Sequence, residues 1–237
     1  MVRTVSVDEY LALEQKHHDW VIPGYVPKPG LVLLIGEPKA GKTSLAIQLA
    51  LTLGRGEPFL GIPTKPASVL YVQCDTSDLV WRTMLYNYKK AGVNLAGNTR
   101  FIHPADQKYG LNIMTPEVTQ YFREALEHSK PSVVILDVLR ELHSSDEQDS
   151  TAMKIVVNHI MGIFEGTSVI MLHHTRKLDP TVAVSPINAS RGTSYIPGRA
   201  DSIWLLHQSR LYVTGRMAPA TVRQLKRLPS GLWGVAT

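Results

Sequence analysis

Apolar, β-rich runs recur along the first two hundred residues, and stretches with helical spacing separate the first four of them. Parallel strands that are covered by helices on both faces show this alternation, because their connections must cross the sheet. We therefore predict an α/β fold with a mostly parallel sheet flanked by helices. The runs predicted to form strands are residues 31–35, 69–72, 133–136, 168–172 and 202–206.

Three connecting segments carry helical patterns, and the first two are typical of crossover helices. Residues 43–53 place apolar side chains at helical spacing, and residues 116–128 begin with Pro116 behind Thr115, a favourable residue to cap a helix. Residues 150–164 bear an apolar stripe that predicts burial of one helix face against the sheet. The sheet should therefore have helices on its faces.

The two ends of the chain depart from this pattern. Residues 210–214 and 221–228 are short strand-like runs around a turn-rich connection, which predicts a C-terminal antiparallel hairpin. We predict one domain over residues 30–237. Residues 1–29 should form a segment that packs on this core or on a neighbouring subunit through Tyr10, Leu11, Leu13 and Trp20.

Composition narrows the functional classes only a little. No apolar run approaches the roughly 18 residues of a membrane span, and the N-terminus lacks the layout of a signal peptide, so we expect a cytoplasmic protein with no membrane partner. The single cysteine, Cys74, excludes an intramolecular disulfide and a cysteine-based zinc site. A net charge of +5 permits contact with a polyanion but does not demand it.

Residues 36–43, which read GEPKAGKT, match the GxxxxGK[ST] phosphate loop and lie between a predicted strand and a predicted helix. In this pattern glycines let successive backbone N–H groups point at phosphate oxygens, and the following helix adds its positive end. Lys42 is predicted to neutralise the β- and γ-phosphates of ATP, and the Thr43 hydroxyl to bind Mg²⁺. The predicted nucleotide contacts are Gly36, Glu37, Pro38, Lys39, Ala40, Gly41, Lys42, Thr43 and Ser44.

Acidic residues follow two of the other predicted strands. Asp137 ends an apolar run as a Mg²⁺-binding carboxylate does, although buried strands also end in aspartate for reasons of turn formation. Asp75 follows residues 69–74 and is a candidate for polarising the attacking water. The alternative for Asp75 is a helix cap for the segment from Ser77 onward, and geometry has to decide between them.

Two adjacent histidines, His173 and His174, end a fourth predicted strand. Neighbouring side chains on a strand point to opposite faces, so the pair is unsuited to bind one metal ion. We predict that His174 senses the γ-phosphate. The alternative is one core histidine and one surface histidine.

Five motifs in order resemble those of the RecA-like hexameric ATPases of the plasmid RepA helicase type, a group common in phages and mobile elements. They are GEPKAGKT at 36–43, LYVQCD at 70–75, VILDVLRELHSSDE at 134–147, VIMLHHTRK at 169–177 and SRGTS at 190–194. The resemblance covers roughly residues 20–207. It implies a RecA-like core that uses ATP and Mg²⁺, with Lys42 and Thr43 in the nucleotide loop and Asp137 as the magnesium carboxylate.

The resemblance also implies roles for residues outside the phosphate loop. His174 matches the switch that links the γ-phosphate to a DNA-contacting loop, here residues 175–189. Asp75 stands where the family usually has glutamate, and the shorter side chain reduces its reach. Members of the family complete each site with an arginine from the neighbouring subunit, and the candidates here are Arg199 and Arg191, of which Arg191 could instead hold the Ser-Arg-Gly turn.

The loop after His174 carries two cations, Arg176 and Lys177, and holds no aromatic residue. We predict sequence-independent contacts from these cations to the backbone of single-stranded DNA, with a solvated surface loop as the alternative.

The predicted function is that of a homo-oligomeric, hexameric ring ATPase on single-stranded DNA, a replicative-type helicase. An ATP-gated recombination mediator or helicase loader without unwinding activity is the alternative, which the aspartate at position 75 and the short chain favour. A small-molecule kinase is a third class. The absence of an evident arginine-rich lid argues against the kinase.

Overall fold

The structure, a computed structural model, describes residues 4–12, 19–102, 111–178 and 184–236. Within these ranges it is an α/β fold. The strands are β1 Asp19–Ile22, β2 Val26–Lys28, β3 Gly30–Gly36, β4 Val69–Gln73, β5 Thr99–Ile102, β6 Val133–Asp137, β7 Ser168–His174, β8 Ser202–His207, β9 Arg210–Gly215, β10 Thr221–Arg227 and β11 Trp233–Val235. The helices are α1 Val7–Ala12, α2 Lys42–Arg55, α3 Asp78–Lys90, α4 Pro116–Ser129, α5 Ser150–Ile163, α6 Pro186–Ala189 and α7 Tyr195–Arg199, with a 3-10 turn at Leu139–Leu142.

The main sheet has the strand order β11-β10-β9-β8-β3-β7-β6-β4-β5 in the described part of the chain. Strands β8, β3, β7, β6, β4 and β5 are mutually parallel, and β8 to β11 continue as antiparallel neighbours. The predicted RecA-like architecture with a C-terminal hairpin is confirmed. Because parallel strands end at one edge, the residues that follow β3, β4, β6, β7 and β8 meet there.

Two apolar cores lie on the two faces of this sheet, as expected for parallel strands buried on both sides. Tyr71 and Leu172 face the core that contains α2 and α3, whereas Val72 and Leu136 face the core that contains α4 and α5. The period of two along each strand therefore decides which residues at the carboxyl edge lie on the α2 side.

The N-terminal segment contacts the core through residues other than Tyr10 and Leu11. Helix α1 buries none of its residues, and Tyr10 and Leu11 are 67% and 57% exposed, so these two do not pack on the core. Val21 and Val26 in the small β1–β2 sheet make the buried contacts, and Trp20 is half-buried. Leu13 lies outside the described residues. A contact of this segment with a neighbouring subunit stays a prediction.

Candidate functional site

The loop between β3 and α2 has the shape required to surround a phosphate group. Lys39 and Gly41 adopt left-handed backbone conformations, with φ values of 64° and 97°. Gly41 also begins α2 without a side-chain cap, so the first N–H groups of the helix have no such partner. An anion at this helix terminus satisfies those donors and meets the positive end of the helix dipole.

Lys42 is buried at the base of this loop, with 6% of its surface exposed. Its Nζ donates to the carbonyl oxygens of Gly36, at 2.9 Å, and Glu37, at 3.1 Å. Burial lowers the pKa of Lys42, and the nearby carboxylates of Asp137 and Asp75 partly oppose this effect. The ammonium group thus lies inside the loop with two neutral acceptors that a phosphate oxygen can replace.

Asp137 ends β6 on the α2 side of the sheet and is fully buried. Its Oδ2 accepts a 2.6 Å hydrogen bond from the Tyr71 hydroxyl, whereas Oδ1 has no partner at normal hydrogen-bonding geometry. Burial raises the pKa of Asp137 to about 6, the charge of Asp75 adds to this effect, and Tyr71, Thr43 and Lys42 oppose it. A buried carboxylate with one free oxygen beside Thr43 is suited to bind a divalent cation.

Asp75 lies just beyond β4 and is exposed. Its Oδ1 accepts from the Gln73 side chain at 3.3 Å and from the Thr76 hydroxyl at 3.0 Å. Helix α3 is capped by Ser77, without a side-chain hydrogen bond, so the described contacts of Asp75 are not those of a helix cap. The carboxylates of Asp137 and Asp75 both act to raise the pKa of Lys42, so Asp75 lies at the same site.

His173 and His174 point to opposite faces of β7, as predicted. His174 is half-buried on the α2 side, opposite Gly36 in the strand register, and its Nδ1 has no partner. Burial lowers its pKa, and the charge of Lys42 adds to this effect. His173 is fully buried and donates from Nε2 to the Arg191 carbonyl at 3.1 Å. No cluster suited to a metal ion occurs among histidine, cysteine and acidic side chains in the described ranges.

Buried polar atoms without hydrogen-bond partners converge on this edge of the sheet. Such atoms are costly unless a ligand or water satisfies them, and they are rare in folded proteins. Those on the α2 side of β4, β6 and β7 are Gln73 Oε1, Asp137 Oδ1 and His174 Nδ1. Together with the phosphate loop, the residues fit a nucleoside triphosphate with Mg²⁺.

The two arginine candidates lie in different places. The Arg191 Nε is 3.4 Å from Oε2 of the buried Glu147, and its backbone N–H donates to the His174 carbonyl, so it is anchored within its own chain. Arg199 is exposed and ends α7 at the amino end of β8, whereas the phosphate loop lies at the carboxyl end. The length of β8, roughly 16 Å, separates these ends, so Arg199 does not reach the phosphate loop of its own chain.

Arg176 and Lys177 are exposed directly after β7. The loop is tied to the site at its start, because Thr175 N donates to the Gly36 carbonyl at 3.3 Å. Residues 179–183 of the predicted DNA-contacting loop lie outside the described residues.

Sequence reasoning missed several residues of the site. Gln73 and Tyr71 lie on β4, the strand that precedes Asp75, and alternation along this strand could have identified them. Arg227 and Trp233 reach the phosphate loop from the C-terminal strands. No local pattern marks them, because more than 180 residues of chain separate them from Gly41.

Comparisons with known proteins support the class of protein that the site indicates, a nucleotide-binding ATPase. A family model described as an AAA domain matches residues 1–180. The fold is similar to the crystal structure of a KaiC-like protein from the hyperthermophilic archaeon Pyrococcus horikoshii OT3, with a TM-score of 0.59 and 15% identity over 92% of this chain and 94% of that chain. No curated protein matches the sequence. Within the described ranges, none of the helices is long and apolar enough to cross a membrane.

Proposed function

The chain belongs to the AAA domain family and has a RecA-like ATPase fold, and from this premise we propose that it forms a ring that couples ATP hydrolysis to action on single-stranded DNA. The finer assignment is a replicative-type helicase with six subunits. The observation that supports coupling is the position of His174, which lies beside Gly36 at the start of the phosphate loop and two residues before Arg176.

The residues of the site divide the work of hydrolysis among them. When bound, ATP supplies the phosphoryl group that water accepts, and Mg²⁺ neutralises charge on its β- and γ-oxygens. Lys42 exchanges its two carbonyl acceptors for phosphate oxygens, and Asp137 and Thr43 bind the cation. Asp75 orients the attacking water through a carboxylate that Gln73 and Thr76 hold in place.

His174 connects this chemistry to the surface loop. Its free Nδ1 lies on the α2 side, where the γ-phosphate is expected, and its backbone carbonyl accepts from Arg191 N at 3.0 Å. Loss of the γ-phosphate removes a partner of His174, and a small shift at the end of β7 moves Thr175 and Arg176 with it. We propose that this shift changes the grip of Arg176 and Lys177 on the DNA backbone.

Steady-state ATP hydrolysis with and without single-stranded DNA, across protein concentration, tests this function. We expect DNA to stimulate hydrolysis and specific activity to rise cooperatively with concentration, with Lys42→Ala as the blank. The Arg176→Ala/Lys177→Ala double variant should keep DNA-independent hydrolysis but lose DNA stimulation and flatten the salt dependence of DNA binding. Stimulation that survives in the double variant would exclude this loop from DNA coupling.

One observation favours a second function, an ATP-gated mediator or helicase loader without unwinding activity. Asp75 is exposed and one methylene shorter than glutamate, which favours slow hydrolysis. In that function a non-hydrolysable ATP analogue should tighten binding to DNA or to a partner, while hydrolysis stays slow and indifferent to DNA. Unwinding of a forked duplex separates the two functions.

A further inference from the structure

The C-terminal strands place an arginine and a tryptophan directly on the phosphate loop. The Arg227 guanidinium lies 3.9 Å above the ring of Trp233, and the Trp233 indole Nε1 donates to the Gly41 carbonyl at 3.3 Å. A Cβ at Gly41 would overlap Arg227 Nη2 and would lie 2.9 Å from the Trp233 ring. The pair is therefore in contact with the loop at the residue before Lys42.

Hydrogen bonds to α2 and to the connection between β10 and β11 hold this pair in place. The Gln48 side chain donates to the Trp233 carbonyl at 2.8 Å and accepts from the Trp233 N–H at 2.8 Å, which ties β11 to α2. Gln48 is one helical turn after Ser44, so both lie on one face of α2. Trp233 is thus anchored over the first turns of α2, beside the phosphate loop. Arg227 Nη1 is held by the Gly231 carbonyl at 2.7 Å.

The strand order decides which end of a nucleotide meets this pair. The phosphate loop follows β3, and the residues assigned to the γ-phosphate and the cation, His174, Asp137 and Asp75, follow β7, β6 and β4 on one side of β3. Arg227 and Trp233 come from β10 and β11 on the other side. A triphosphate with its γ end toward the carboxylates has its nucleoside end toward Arg227.

We propose that Arg227, which lies over the Trp233 ring, is the platform on which the base of the bound nucleotide stacks. This inference rests on the proposed ATPase function. Trp233 is 4% exposed and lies beneath Arg227, whereas Arg227 is exposed. A planar cation on an aromatic ring is suited to stack with a purine. Both residues lie outside the part of the chain that the family model matches.

Two ligands separate base stacking from phosphate binding: a non-hydrolysable ATP analogue and inorganic tripolyphosphate, each with Mg²⁺ and measured by calorimetry. We expect Arg227→Ala to weaken binding of the ATP analogue about tenfold and to leave the affinity for tripolyphosphate unchanged. Arg227→Lys keeps the positive charge but loses the planar guanidinium group, so it should weaken binding of the ATP analogue as well. The matched control is Lys226→Ala, because Lys226 is the adjacent exposed cation on the opposite face of β10 and should change neither affinity.

Other outcomes identify which proposal fails. If Arg227→Ala weakened both ligands equally and Arg227→Lys restored both, Arg227 would be a phosphate contact and the platform would be wrong. If Arg227→Ala changed neither affinity, the platform would also be wrong. If instead the wild-type protein bound neither ligand, or Lys42→Ala bound both as tightly as wild type, the proposed function itself would fail. Thermal unfolding of each variant, expected within a few degrees of wild type, shows that the fold is retained.

Discussion

Asp137 and His173 are buried ionisable side chains whose burial affects stability with opposite pH dependence. The pKa of Asp137 is raised from 3.8 to about 6, so its charged form costs folding free energy above pH 6, and this cost disappears as the pH falls to 4. Burial lowers the pKa of His173 from 6.5 to about 4. At pH 8 this histidine is neutral in both the folded and the unfolded state, so it has no effect on folding free energy. As the pH falls from 6.5 to 4, the unfolded chain takes up a proton that the folded protein does not, and the fold is destabilised.

Asp137→Asn should stabilise the nucleotide-free protein at pH 8 while it abolishes hydrolysis. The substitution removes a buried charge, keeps an acceptor for Tyr71 and removes the carboxylate for Mg²⁺. The gain should be at most on the order of 3 kcal/mol and should vanish near pH 4. Urea unfolding at pH 8, 6 and 4 measures it, with Asp8→Asn, at an exposed aspartate of α1, as control. A variant that is less stable than wild type at pH 8 would contradict this account.

His173→Gln should remove part of the loss of stability that acid causes in the wild-type protein. Glutamine can still donate to the Arg191 carbonyl but cannot take up a proton. The ring of His173 faces Glu147 at 3.8 Å and Arg191, and these groups stay in the variant. We expect the free energy of unfolding, relative to wild type, to rise by on the order of 3 kcal/mol from pH 7.5 to pH 4. A difference that does not change with pH would show that His173 does not titrate in this range.

At the scale of elements, the contact between α2 and β11 joins the nucleotide loop to the C-terminal strands. Gln48→Ala leaves the Trp233 N–H and carbonyl without these partners, and both are buried, so we expect a loss of about 1–3 kcal/mol in unfolding free energy. Hydrogen exchange should accelerate at residues 233–236. The control is Gln120→Ala on α4, an exposed residue whose amide donates to the exposed Glu124. Unchanged exchange in Gln48→Ala would mean that β11 is held by other contacts.

The sequence predicted those elements whose signal is local. Strands such as β3 and β7 are continuous apolar runs, and the phosphate loop between β3 and α2 has a fixed spacing of glycines and lysine, so both follow from neighbouring residues. Strand β11 is three residues long, and Gln48, which joins it to α2, is 185 residues away from Trp233. The exposure of Tyr10 and Leu11 was likewise missed, because a helix of six residues has too little periodicity to show whether it is covered.

At the scale of the whole molecule, one chain carries an incomplete set of residues for the proposed reaction. Lys42, Asp137 and Asp75 come together at one edge of the sheet. In the described chain, the candidate arginines do not join them: Arg191 pairs with Glu147, and Arg199 is at the opposite end of β8. A transferring phosphoryl group needs positive charge beside it, and an arginine from a neighbouring subunit is one way to supply it.

Mixing two inactive variants tests whether Arg199 acts between subunits. Lys42→Ala lacks the phosphate loop cation, and Arg199→Ala should bind ATP almost normally but hydrolyse it slowly. In a mixed ring, a site formed by Lys42 of one subunit and Arg199 of the next is complete, so activity should return at about a quarter of the sites. Lys42→Ala mixed with Asp137→Asn must stay inactive, since both lesions fall in the same half of the site. If Arg199→Ala gave no restoration but Arg191→Ala did, the arginine in trans would be Arg191, and its ion pair with Glu147 would have to open in the assembled ring.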